Sequence, residues 1–120
     1  HDVFTFALKE VTPNIDSVLE HAGANKDQID YYIFHQANKL LNESIRRKMG
    51  IDSSKVPYTL NKYGNTSCAT IPLTLVSELR EEAQGKSLEL LLSGFGVGLS
   101  WGSALVKISD IRCPELIEVE

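Results

Sequence analysis

The hydrophobic positions of this chain follow two periods, one typical of helices and the other of buried strands. Helical spacing runs through residues 3–23, where the apolar positions are Phe4, Ala7, Leu8, Val11, Ile15, Val18, Leu19 and Ala22. Pro13 interrupts this run, and proline both lacks an N–H donor and clashes with the preceding turn. We therefore expect two helical pieces, the second capped by Thr12, with Pro13 at its first position and Gly23 at its end.

The next segment has clear start and stop signals. Asn25 to Gln28 has the pattern of a capping box that opens one short turn. Residues 30–35 are aromatic and β-branched, which predicts a short strand ending at His35. An amphipathic helix follows over Lys39 to Met49, and Gly50 ends it.

The middle of the chain predicts a further turn and a long helix. Asp52 to Val56 is one turn closed by Pro57, and residues 58–60 are extended. A helix is expected over 67–83, capped by the hydroxyls of Thr66 and Ser67, with Pro72 early in it.

Two apolar strands complete the pattern, at 88–93 and 99–108, and both are hydrophobic enough to be covered on both faces. The tail at 109–120 is left unassigned. The resulting order is helix, strand, helix, strand, helix, strand, strand. This order predicts an α/β fold with a mixed sheet flanked by helices.

Composition narrows the classes of protein. With 120 residues, the chain is one domain by length, and 42% hydrophobic residues are enough for a core. The net charge of −4, without a basic stretch, argues against nucleic-acid binding, and no apolar run approaches a membrane span. Cys68 and Cys113 have neither disulfide nor metal spacing, so a reduced, cytoplasmic setting is expected. No signal peptide is visible, although the chain begins at His1, so an N-terminal segment is expected to be missing.

His35 is the first candidate for chemistry. It ends an apolar strand, and ligands bind at the carboxyl ends of parallel strands. Gln36 and Asn38 add polar groups to the same corner before the next helix begins. A histidine that bonds only backbone at the end of a strand is an equally consistent interpretation.

Asn65 is the second candidate, within the string Tyr63-Gly64-Asn65-Thr66-Ser67. Its amide has two N–H donors but cannot act as an acid or base at neutral pH, which suits stabilisation of a negative oxygen. Taken alone, Asn65 is better explained as an asparagine that stabilises a turn than as a hydrogen-bond donor to a ligand.

The glycine-rich segment Gly94 to Gly102 lies between two strands and is not followed by a helix, which argues against a dinucleotide site. Its glycines allow close approach of a ligand, and the alternative is a tight β-hairpin.

Two other features have plain explanations. Cys68, at the start of a helix, could be a nucleophile, but the favoured interpretation is that it is a small buried core residue. Cys113 is a weaker candidate nucleophile than Cys68. A short basic run at the end of a helix, Arg46, Arg47 and Lys48, complements the helix dipole, and Glu43 can pair with Arg47. The alternative is that this run docks a partner.

Three strings in this order resemble the C-terminal half of the β-ketoacyl-[acyl-carrier-protein] synthase III family: His35-Gln36-Ala37-Asn38, Tyr63 to Ser67, and Gly94 to Gly102. The resemblance covers about residues 3–108 and implies a thiolase-like half fold. Residues 1–120 would then be the C-terminal domain of a two-domain enzyme whose N-terminal half, with its acylated cysteine, is absent. Residues after 109 carry no resemblance.

The resemblance also implies roles for individual residues. His35 and Asn65 would be the catalytic donors that hold a malonyl thioester during decarboxylative condensation in fatty acid biosynthesis. Backbone of Gly96, Val97 and Gly98 would bind the oxyanion at the acylated cysteine, although glycine is the expected residue at position 97 and Val97 narrows the site. The remaining implied contacts are substrate-binding Gln36, Asn38 and Phe95, and docking of carrier protein at Lys39, Arg46, Arg47 and Lys48.

The implied substrates are coenzyme A and acyl-carrier-protein thioesters, without a cofactor or metal. The implied partners are acyl carrier protein, the missing N-terminal half and, for the full-length enzyme, a second copy in a homodimer, with no nucleic acid or membrane. Two alternatives remain open. One is a related thiolase-fold enzyme that makes polyketides or hydroxymethylglutaryl-coenzyme A, and the other is a non-catalytic α/β module that binds a carrier protein.

Overall fold

A three-stranded mixed sheet forms the centre of the computed structural model, which describes residues 2–119. Its strands are β1 (Tyr31–Phe34), β2 (Ser87–Gly96) and β3 (Ser100–Ser109), in the spatial order β1-β2-β3. β1 is parallel to β2, and β2 is antiparallel to β3. Helices cover both faces, which confirms the expected α/β class.

Within residues 2–119, five α-helices and three short 3₁₀ turns surround the sheet. The helices are α1 (Asp2–Ala22), α2 (Lys39–Met49), α3 (Leu60–Tyr63), α4 (Thr70–Glu78) and α5 (Arg80–Ala83), and the 3₁₀ turns are Lys26–Gln28, Ser53–Lys55 and Ser67–Ala69. None of the helices in residues 2–119 has the length and hydropathy needed to cross a membrane.

Strand alternation divides the core between the two faces of the sheet. Tyr32, Phe34 and Leu91 point towards α1 and α2, whereas Ile33 and Leu90 point towards α4 and α5. This is the period of two expected of a sheet buried on both sides. The end of β1 is therefore fixed from both faces before the chain reaches His35.

The expectation of two helical pieces before Gly23 is wrong, because α1 runs unbroken through Pro13. Thr12 does not cap a second piece; its hydroxyl donates to the Leu8 carbonyl within the helix, at 3.1 Å. The continuous stripe Ala7, Val11, Ile15 and Leu19 is buried along the whole helix, and this packing outweighs the hydrogen bond lost at the exposed Pro13.

Most of the local signals between residues 23 and 56 are confirmed. Gly23 ends α1 with a φ of +64°, and Asn25 and Gln28 form both bonds of the capping box. Gly50 ends α2 in the left-handed conformation, and Asp52 caps the turn after it.

Two expectations for the middle of the chain fail in detail. Residues 58–60 form no strand, so the predicted order contains one strand too many; Leu60 opens α3, with Thr59 already at φ −111° and ψ −5°. The helix expected over 67–83 is instead a 3₁₀ turn followed by α4 and α5, separated by a break at Leu79.

The last two strands form a hairpin that turns at residues 97–99, so the β-hairpin alternative for the glycine segment is confirmed. β3 is not covered on both faces as expected, because most of its residues are exposed in this chain. The unassigned tail packs back on the helices: Cys113 is buried, and its carbonyl accepts a hydrogen bond from Arg80 Nε at 3.0 Å.

Candidate active site

An open cavity of about 580 Å³ lies where β1 ends beside the β2–β3 hairpin and the start of α4. It brings together the three segments singled out in the sequence. The lining residues are His35, Asn65, Ser67, Cys68, Thr70, Ile71, Gly94, Phe95, Gly96, Val97, Ser100 and Trp101.

His35 is held in place by its own backbone. Its N–H donates to the Ser93 carbonyl at 2.9 Å, which continues the parallel ladder of β1 and β2 by one residue. Its carbonyl accepts from Asn42 Nδ2 at 3.0 Å, so α2 also fixes the corner. The ring of Phe95 packs edge-on against the imidazole, with centroids 5.6 Å apart.

The imidazole is further held by Thr70 at the start of α4. Nδ1 of His35 lies 2.8 Å from Thr70 Oγ1, which is itself 2.8 Å from the Ser67 carbonyl. Burial lowers the pKa of His35, and a hydrogen bond to the Ser67 carbonyl opposes this in part. The ring is therefore neutral at neutral pH. Nε2 has no partner among residues 2–119.

Asn65 is oriented by an Asx turn. Its Oδ1 accepts from the Ser67 N–H at 2.9 Å, while its Nδ2 bonds to no group in the described part of the chain. Both the turn role and the donor role considered for this residue are compatible with this geometry, because the turn uses the oxygen and leaves the two N–H groups unused.

The expected caps at Thr66 and Ser67 are wrong. Neither hydroxyl caps the helix, and the Thr66 Oγ1 is buried without a partner. Ser67 adopts a positive φ of 55°, and its backbone N–H donates to the Asn65 side chain.

The glycine-rich turn borders the cavity from the other side. Gly96 and Val97 line it, whereas Gly98, with φ +84°, lies at the tip of the hairpin and does not. The Val97 side chain is fully exposed, at 101%, so it borders the open side and does not narrow the cavity in this chain. Val97 also lacks a positive φ, so valine replaces the expected glycine without backbone strain.

Two residues expected to bind substrate lie outside the cavity. Gln36 is fully buried, at 0% exposure, with its amide donating to the Phe34 carbonyl and accepting from the Thr59 N–H. Asn38 caps α2 by accepting from the Leu41 N–H at 2.8 Å. Both therefore stabilise the chain around His35 without lining the cavity. Of the three residues expected to bind substrate, only Phe95 lines the cavity.

The four basic residues lie along α2, away from the cavity. Arg46 pairs with Glu43 at 2.7 Å and also donates to the Ile51 carbonyl, so Glu43 pairs with this residue and not with Arg47 as expected. Lys48 donates to the Leu8 carbonyl at 2.7 Å, and Lys39 lies 5.9 Å above the Tyr58 ring. Arg47 is exposed, and its side chain makes no hydrogen bond or ion pair within residues 2–119.

The favoured core interpretation of Cys68 is wrong, because this thiol is exposed and lines the cavity. The 3₁₀ turn before α4 rotates it away from the apolar face. Thr70 is the main cavity residue that the sequence analysis missed. Thr70 lies three residues after Ser67, within one helical turn. This spacing was the sequence signal that could have placed Thr70 in the cavity.

Comparisons with known proteins agree with this architecture. The sequence pattern of the family described as "3-Oxoacyl-[acyl-carrier-protein (ACP)] synthase III C terminal" matches residues 19–108. The chain is 44% identical over 109 residues to a β-ketoacyl-[acyl-carrier-protein] synthase III of Streptococcus agalactiae, covering 88% of this chain and 33% of the relative. A relative of the same description from Streptococcus equi subsp. equi is 41% identical over the same length.

Among solved structures, the fold matches a 3-oxoacyl-(acyl-carrier protein) synthase from Burkholderia xenovorans LB400 with a TM-score of 0.94 at 37% identity. That match covers 98% of this chain and 34% of the other. The chain therefore spans about a third of the length of the relatives it matches.

Proposed function

The chain belongs to the 3-oxoacyl-[acyl-carrier-protein] synthase III C-terminal family, and we propose that residues 1–120 supply its two catalytic hydrogen-bond donors, His35 and Asn65. The proposed reaction is decarboxylative condensation of a malonyl thioester with an acyl group on a cysteine outside this sequence.

One observation carries the proposal: two side chains that line one cavity each have one polar atom bonded within the chain and one that is not. His35 uses Nδ1 on Thr70, and Asn65 uses Oδ1 on Ser67. Their remaining nitrogens, Nε2 and Nδ2, are the atoms left for a ligand. A neutral imidazole and an amide can both donate to an oxygen without competing to protonate it.

The chemistry requires this kind of donor. As the bond between the α-carbon and the carboxylate breaks, CO₂ leaves and the electron pair passes into an enolate whose charge lies on the thioester oxygen. Donors aimed at that oxygen accelerate the step if they bind the enolate better than the ground-state carbonyl. The enolate carbon then attacks the acyl carbonyl, and the cysteine thiolate leaves. Backbone N–H groups of Gly96 and Val97 are proposed to stabilise the oxyanion of that second step.

The proposed substrates are thioesters of coenzyme A and of acyl carrier protein. The complete enzyme is proposed to be a cytoplasmic homodimer. For carrier-protein docking, Lys39 and Arg47 are better suited than Arg46 and Lys48. The latter two already bond within the chain, whereas the former can meet an acidic partner without breaking such a bond.

The test replaces the matching third of the S. agalactiae relative with this chain and measures CO₂ release from malonyl-acyl carrier protein. His35→Ala and Asn65→Ala should each lower the rate by about 10²–10³, as loss of one preorganised donor typically does. His21→Ala and Asn61→Ala, two exposed residues outside the cavity, are the matched controls and should leave the rate unchanged. Decarboxylation that survives both cavity substitutions would refute the proposal.

A further inference from the structure

Asn42 breaks the apolar pattern of α2. It lies on the buried side of this helix with Leu41, Ile45 and Met49, and it is 0% exposed. A core-facing helix position normally carries an apolar residue. An amide costs free energy there unless its polar atoms find partners. In natural proteins, departures from this pattern concentrate at functional sites.

The Asn42 side chain makes one hydrogen bond within residues 2–119, and that bond is to the candidate catalytic histidine. Its Nδ2 donates to the His35 carbonyl at 3.0 Å, while its Oδ1 is buried and bonds to no group in this part of the chain. Because a carbonyl oxygen only accepts, the amide nitrogen must face His35. A hydrocarbon side chain of similar size would avoid the cost of burying Oδ1, so folding stability alone does not explain an asparagine at this position.

The bond completes the hold on the backbone of His35. The His35 N–H donates to the Ser93 carbonyl at 2.9 Å, and its own carbonyl also accepts the Ala37 N–H at 3.1 Å. The Ala37 bond lies within the turn itself, whereas the Asn42 bond ties the turn to α2. The backbone of His35 is therefore held between β2 on one side and α2 on the other, and this fixes the direction in which its side chain leaves the backbone.

We infer that Asn42 is a positioning residue that holds the His35 carbonyl and thereby aims the imidazole into the cavity. This inference rests on the proposed function, in which His35 donates to the enolate. Asn42 is not among the residues that line the cavity, so it acts through His35 and does not touch the substrate. Such placement matters, because a displacement of about 1 Å at a reacting group can lower a rate by about 10².

The test removes the donor and keeps the size of the side chain. In the S. agalactiae relative that carries this chain, Asn42→Leu should slow CO₂ release by about 10–10². The KM for malonyl-acyl carrier protein and the rate of acylation by acetyl-coenzyme A should stay unchanged, because neither depends on the direction of the His35 ring. In urea, the unfolding midpoint of this chain should not fall, because leucine suits the apolar side of α2.

Ile45→Val is the matched control. Ile45 lies three residues after Asn42 on the same buried side of α2, and it contributes packing alone. Loss of one methylene should lower the unfolding midpoint and leave CO₂ release unchanged. A purely structural role of Asn42 would give Asn42→Leu this same profile. Asn42→Ala is the second donor-free variant if leucine prevents folding, with the same expected slowing of CO₂ release.

CO₂ release at the unsubstituted rate in a folded donor-free variant would overturn the inference, and so would acylation that slows as steeply as CO₂ release. The companion variant His35→Ala separates the two proposals. If His35→Ala slows CO₂ release and Asn42→Leu does not, only this inference fails. If His35→Ala leaves CO₂ release unchanged, the proposed function fails and the inference fails with it.

Discussion

At the scale of single residues, burial decides the charge of the proposed donor. His35 lies half-buried between the Phe95 ring and Thr70, and this environment favours the uncharged imidazole. A positive ring would bind the carboxylate of a malonyl group and oppose its loss as CO₂. Neutrality therefore results from the packing that also orients the ring.

This lowered pKa predicts a pH dependence of folding. In the unfolded chain, the histidine takes up a proton near pH 6.5, whereas the folded chain resists it until a lower pH. Between these values the unfolded state binds more protons, so the free energy of unfolding falls as the pH falls. The contribution is complete above about pH 6.5 and is lost as the pH falls through the folded value.

Urea unfolding between about pH 4.5 and 7, above most carboxylate titration, measures this dependence. His35→Gln should flatten the slope against pH in that range, whatever its effect on stability at pH 7. Equal slopes in the two proteins would contradict the assignment.

The two cysteines should differ sharply in reactivity. Cys68 is exposed in the cavity, whereas Cys113 is 4% exposed under the tail. An alkylating reagent should therefore modify Cys68 first in the native chain, and both should react in denaturant. Peptide mass spectrometry after a short exposure gives the order, and equal native labelling would mean that the tail does not cover Cys113.

At the scale of elements, the local signals predicted most boundaries and failed where tertiary packing decides. Gly23 and Gly50 act through their own backbone angles, and the capping box at Asn25 acts through bonds within four residues, so the sequence alone was sufficient. Pro13 was misjudged because the buried stripe on both sides of it is a property of the packed helix. The roles of Gln36 and Cys68 depended on which side of a turn faces the core, and no periodicity covers such short segments.

Gln36 offers a test of one such position. Its buried amide connects the end of β1 to the Thr59 N–H ahead of α3. Gln36→Leu should therefore cost about 1–3 kcal/mol of folding stability, since it leaves the Thr59 N–H without its partner. The exposed Gln84→Leu is the matched control, expected within about 0.5 kcal/mol of the unsubstituted chain. An equally small effect at Gln36 in chemical denaturation would make this residue a possible substrate contact again.

At the scale of the whole molecule, the sequence predicted the mixed α/β fold and the three segments of the cavity. The resemblance assigned all three segments to one reaction, and the cavity brings them together. Periodicity alone could not predict the exposure of β3, because an apolar strand looks the same whether or not another part of a protein covers it. The absent N-terminal half that the resemblance implies is the reason to expect an exposed face at the glycine-rich turn and Trp101.

That exposure predicts self-association of this chain. Val97, Leu99 and Trp101 are exposed large hydrophobic residues next to the cavity. Contiguous apolar surface of this kind promotes association. Light scattering should show a mass that rises with concentration. Val97→Ser should reduce the rise, whereas Ile117→Ser, an exposed position in the tail, should not. A monomer at every concentration would contradict this account of the surface.

The central claim is that His35 and Asn65 act on the enolate and not on cysteine acylation, and single-turnover kinetics test it most directly. In the graft of this chain into the S. agalactiae relative, acylation by acetyl-coenzyme A and CO₂ release from malonyl-acyl carrier protein are timed separately. For His35→Ala and Asn65→Ala, we expect CO₂ release to slow by about 10²–10³ while acylation stays close to the unsubstituted rate. Acylation that slows as steeply as CO₂ release would contradict the claim.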